Sequence, residues 1–108
     1  MPIIQGPNST LPTDEFAAWG LAQFEKGRTN ITRLHFHDCD EFVFMIEGTC
    51  VMRSEGVVYT LGPGDVLVTR TGDEHELLEI IEDTRYFWLE GELRGRKRTG
   101  HLHRDEGD

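Results

Sequence analysis

From residue 31 onward, apolar residues fall in short runs broken by Gly, Pro, Asp and Ser: "ITRLHFH", "EFVFMIE", "TCVMR", "VVYTL", "DVLVT", "ELLEIIE" and "RYFWLE". That spacing predicts short antiparallel strands of an all-β sandwich or barrel, and no interval between them is long enough for a crossover helix. "RSEGVV" predicts a hairpin turn at Glu55 and Gly56, and "LGPGD" at 61–65 a second tight turn. Residues 14–24 admit two readings. One is an amphipathic helix capped by Thr13 with Phe16 and Trp19 on one face; the other is a strand "WGLAQFE" ahead of a turn in "KGRTN". Gly20 weakens a helix and Gly27 suits a hairpin, so the strand is expected. In "EFVFMIE", Glu41, Val43 and Met45 alternate with Phe42, Phe44 and Ile46, which puts apolar side chains on both faces. Something has to cover the second face, the N-terminal arm or another subunit, and a homodimer is the expectation.

Length and charge narrow this picture. A chain of 108 residues, 37% hydrophobic, can bury one core and is expected to form one domain over 1–108. Residues 1–12 hold three prolines and are expected to run as an extended arm, with 91–108 as a polar tail. Eleven basic against twenty acidic residues give a net charge of −9, which argues against nucleic acid and anionic membranes as partners. The basic run "RGRKR" at 94–98 is a local exception that could hold a small anion. Two cysteines, Cys39 and Cys50, lie outside any CxxC or spaced framework, so neither a disulfide scaffold nor a zinc ribbon is expected. With no apolar run of ~18 residues and no basic-then-apolar start, the chain reads as soluble and cytoplasmic.

The chemistry concentrates in "LHFHDCDEF" at 34–42. On an unbroken strand His35, His37 and Glu41 share one parity and project from one face. Two imidazoles and a carboxylate suit iron, manganese, nickel, cobalt or zinc, with a further ligand expected from another strand. His75, in "GDEHELLE", is the candidate. Cys39 has the same parity, but the four harder ligands complete a set without it.

On these residues the chain resembles the cupins. The family's first motif, HxH, three or four residues, Glu, six residues and Gly, is matched by His35, His37, Glu41 and Gly48; the second is matched by Gly64, Gly72 and His75. Arg70 stands where the family has proline, Glu79 where asparagine is common, and Thr29 where a glycine usually precedes the HxH. The resemblance implies a single jelly-roll barrel of six to eight antiparallel strands holding one divalent transition metal ion (Fe, Mn, Ni, Co, Zn or Cu) on His35, His37, Glu41 and His75. Around an octahedral ion these ligands leave two open positions for a chelating, oxygen-rich small molecule.

Other residues of the same parity are candidates for the cavity. Arg33 could anchor a substrate anion or form a rim ion pair, and Glu79 could act as general base or acid, unless a bulge turns it to solvent. Tyr59, Tyr86 and Trp88 either line the pocket or fill the core. "HLHR" in the tail, with His101 and His103, lacks the following glutamate and strand character, and reads as solvated. The expected function is therefore a mononuclear metalloenzyme, dioxygenase-like or an isomerase or lyase. The alternative is a barrel that binds or senses a sugar or organic acid without turnover.

Overall fold

The computed structural model describes residues 16–91. The arm at 1–12, the basic run at 94–98 and the histidines of the tail lie outside them. Five strands form: β1 (Phe16–Phe24), β2 (Glu41–Ser54), β3 (Val57–Leu61), β4 (Val66–Thr69) and β5 (His75–Gly91). All named pairings are antiparallel, and no helix occurs among the described residues. The segment at 16–24 is the expected strand. Gly91, read from sequence as the start of the tail, instead closes β5, paired with Phe16.

Two expected pairs of short strands are each one long bent strand. "EFVFMIE" and "TCVMR" run together as β2, and "ELLEIIE" and "RYFWLE" as β5. Their shared ladder shifts register between Met45 and Glu47, Glu47 and Thr49, and Thr49 and Cys50, so the sheet bends there without breaking. At the bend Gly48 has φ +88°, and a Cβ on it would run into the Asp83 carbonyl oxygen and lie 2.6 Å from Thr84 Cα. Only glycine permits that close approach.

The bend folds one sheet into two faces. The first half of β2 pairs with β4 on one edge and the second half of β5 on the other, which in turn pairs with β1. The second half of β2 pairs with β3 and the first half of β5. Val43, Met45, Cys50, Met52, Leu61, Leu67, Leu77 and Ile80 pack between them as the core. The β2–β3 turn has positive φ at both Glu55 and Gly56, the form whose twist suits a two-residue hairpin.

"ITRLHFH" is not a strand. Residues 27–35 follow the edge of β5 through irregular bonds: Asn30 N–H donates to Leu78 O, Ile31 N–H to Leu77 O, and His35 and His75 exchange both backbone hydrogen bonds. The chain then bends at 38–39 before β2 begins at Glu41. Shared parity on one strand therefore does not explain how His35, His37 and Glu41 converge; the bend does.

Candidate metal centre

His35 and His75 meet because their backbones form an isolated antiparallel bridge, with N···O distances of 3.0 and 2.8 Å. Their ring centroids lie 4.2 Å apart. His37 reaches the same point from beyond the bridge, its centroid 5.1 Å from that of His35 and 5.0 Å from that of His75. Its carbonyl accepts the Gly72 N–H. Asp40 ties the two motif loops further, accepting from Thr71 N–H at 2.8 Å and Thr71 Oγ1 at 3.1 Å and pairing with Arg70 at 3.2 Å. The Thr71 amide first, helped by its hydroxyl and by Arg70, holds the Asp40 carboxyl below its ordinary range. Arg70, which departs from the family's proline, also uses an N–H that proline lacks, donating to Asp73 Oδ2.

All three histidines are buried, as is Glu41. A carbonyl oxygen can only accept, so the His35 Nδ1–H donates to Arg33 O at 2.6 Å and the His75 Nδ1–H to Asp73 O at 3.3 Å. In a neutral ring each such bond directs the Nε2 lone pair toward the cluster. Glu41 bridges two of the rings, with Oε1 3.3 Å from His75 Nε2 and Oε2 3.6 Å from His37 Nε2. Burial alone would raise the Glu41 pKa, but His75's hydrogen bond and the charges of His37, His75 and His35 outweigh it and pull it below its ordinary value.

A fifth group stands here that sequence reading missed. Glu90 is 5% exposed, sits opposite Glu41 in the β2–β5 register, and places Oε2 3.9 Å from His37 Nδ1. Burial first, and then the charge of Glu41, push its carboxyl up to about 7. A signal was available: Tyr86, Trp88 and Glu90 share the parity of the inward side of β5. The pairing with Glu41 is a tertiary contact that no local motif announces.

The site also corrects several expectations. Glu79 is exposed and does not reach the cavity. Between Val51↔Glu79 and Met52↔Leu77, β5 advances two residues for one of β2, so Leu78 is a bulge that reverses the alternation. The Arg33 side chain is exposed, and the residue serves the site through its backbone carbonyl. Tyr59 is exposed on β3, whereas Tyr86 and Trp88 line the cavity beside the histidines. Cys39 is buried with Sγ 3.7 Å from Glu90 Oε1. Burial and then Glu90 push its thiol up to about 12, and Cys39 belongs to neither group of close ligand atoms, which are His35, His37 and His75, and His37, Glu41 and Glu90.

One ligand-capable atom from each of His35, His37 and His75 lies within 4.8 Å of the others, and the same holds for His37, Glu41 and Glu90. Three imidazoles and two carboxylates, with no lysine or arginine among the described residues lining the adjacent cavity, form a set of electron-pair donors that a cation would satisfy. The set fits a divalent transition metal ion.

Residues 20–90 match the Cupin_2 model, a cupin domain. The chain belongs to the cupin family. A curated relative, uncharacterized protein y4oW of Sinorhizobium fredii, is 37% identical over 68 residues, which are 63% of this chain and 32% of that one; the cupin thus spans about a third of the relative's length. Among solved structures, it resembles the DMSP lyase DddQ from Ruegeria pomeroyi, with a TM-score of 0.70, 23% identity, and coverage of 89% of this chain and 47% of that one. It also resembles a predicted oxalate decarboxylase from Thermotoga maritima, with a TM-score of 0.65, 20% identity, and coverage of 74% and 70%. At these identities the likeness shows the shared jelly-roll fold. No helix among the described residues is long and apolar enough to cross a membrane.

Proposed function

We propose that this cupin is a metal-dependent enzyme acting on a small oxygen-bearing molecule, with His35, His37, Glu41 and His75 holding one divalent transition metal ion. The observation that carries the reading is the meeting of three buried imidazoles from two separated segments, with Glu41 against two of them, where His35, Glu41 and His75 line one end of a cavity of about 320 Å³. When bound, the ion supplies Lewis-acid polarisation of a chelated hydroxyl or carbonyl oxygen and, if redox-active, an electron-transfer centre. The chain's own groups do the rest. The Arg33 and Asp73 carbonyls hold two imidazoles in one tautomer and orientation, and the buried setting of the histidines and Glu41 limits bulk water at the site. Glu90 lines the same end and is placed to hold or release a proton at its carboxyl oxygen, the role that sequence reading gave to Glu79. Lyase chemistry, the kind the DMSP lyase's name describes, and isomerase chemistry need only this polarisation and proton transfer; a dioxygenase needs a redox-active ion as well.

A homodimer is part of the proposal. Trp19, Leu21, Phe42, Phe44, Val66 and Val68 point away from the core on one face of the sheet, together with Phe87 and Leu89. Phe44 is 38% exposed, Val66 48% and Val68 41%. A continuous apolar face of this kind is what a second copy would cover.

The metal reading is tested by elemental analysis of protein purified without added metal, beside His37→Ala. Near-stoichiometric metal in the native protein and its loss in the variant are expected. A variant that keeps a full complement would show the ligand assignment to be wrong. Oxygen uptake against diketones, thiols and catechols then separates a dioxygenase from the lyase and isomerase readings.

A further inference from the structure

The cavity beside the metal end has walls of a different character. Phe24, Val43, Met52, Leu77, Tyr86 and Trp88 form most of them. The room between them is made by small residues on the inner side of β1. A Cβ on Gly20 would lie 2.6 Å from the Trp88 ring, so the indole rests against bare backbone, and Ala22 opposite Tyr86 leaves the next space open. The remaining polar liners are already engaged. Thr32 Oγ1 accepts the Leu77 N–H at 2.8 Å, and Glu76 pairs with Arg53 at 2.6 Å. Burial keeps the Tyr86 phenol neutral. Among the described residues no lysine or arginine lines the cavity.

Resting on the metal reading above, we propose that the molecule taken here has two parts: a bidentate oxygen head at the histidine and glutamate end, and an uncharged apolar body, branched aliphatic or aromatic, against Tyr86, Trp88 and Leu77. At ~30 Å³ per water-sized group, a cavity of about 320 Å³ holds roughly ten non-hydrogen atoms. A body bearing a second carboxylate or a phosphate would exchange water for apolar walls with no cation among the described lining residues to meet it. Sugar phosphates and dicarboxylates are thereby disfavoured, which narrows the oxygen-rich class expected from the ligands alone.

The test is titration calorimetry of the full chain, with and without Mn²⁺, against four 2-oxo acids that share one head: pyruvate, 4-methyl-2-oxopentanoate, phenylpyruvate and 2-oxoglutarate. At roughly four-fold per buried methylene, 4-methyl-2-oxopentanoate is expected to bind at least ten-fold tighter than pyruvate, and 2-oxoglutarate no tighter than pyruvate. Ala22→Leu and Ala22→Phe fill the cavity from β1 and should weaken 4-methyl-2-oxopentanoate in steps while metal content stays native. A flat series, tightest binding of 2-oxoglutarate, undiminished binding in folded Ala22→Phe, or no binding of any of the four overturns the proposal. Apolar preference that persists without any metal dependence would uphold the apolar-body assignment while removing the metal reading beneath it, so the two failures are distinguishable.

Discussion

Glu90→Gln turns the geometry of the centre into a measurable pH dependence. Glu90 is buried against Glu41, and its carboxyl is raised from 4.5 to about 7. The folded state thus holds this proton more tightly than the unfolded chain, so between those values the native protein binds more protons than the unfolded one. Stability must fall as pH rises through that window. At ~1.4 kcal/mol per pH unit, ionised Glu90 costs the metal-free fold about 3.5 kcal/mol in full, of which about 2.5 kcal/mol accrues between pH 5 and pH 8. Glutamine removes the ionisation and keeps the shape. Urea unfolding in the presence of a chelator, at both pH values, should therefore show the native protein losing about 2.5 kcal/mol more than the variant, roughly 1–2 M in midpoint. Every other ionisable group of the centre is common to both proteins. Parallel pH dependences, or a variant less stable than native at pH 8, would refute the placement of two facing carboxylates in one buried site.

Two further predictions concern the scaffold. Gly48→Ala should cost roughly 2–6 kcal/mol in urea unfolding, from positive φ plus collision with the Asp83 carbonyl. Gly27→Ala, with φ +91° but nothing within 4 Å of the added Cβ, should cost only about 1–2 kcal/mol, and equal losses would mean that the β2–β5 approach is not tight. Phe44→Glu should shift the mass measured by light scattering from dimer to monomer while metal content is retained; a native protein that is already monomeric would remove the dimer from the proposal.

Much of this was legible in the residues themselves. Alternation in "EFVFMIE" reports a strand with two apolar faces because side chains on extended backbone alternate whatever the chain packs against, and β2 shows that alternation. Glu55 and Gly56 announce their turn because φ is a local property. The spacing of His35, His37, Glu41 and His75 marked the family, and the fold brings those four side chains within reach of one another. What only the tertiary structure decided is where local periodicity is broken by long-range pairing. A bulge at Leu78, set by the register of β5 on β2, sends Glu79 outward. The bend at 38–39, stitched by Asp40 to Thr71, aims Glu41 where strand parity could not. Glu90 joins the centre from 49 residues beyond Glu41 because two bent strands align at that register. Apolar periodicity is written one residue at a time, but register and bulges are settled by the partner strand, and in this cupin they choose which acid faces the histidine cluster.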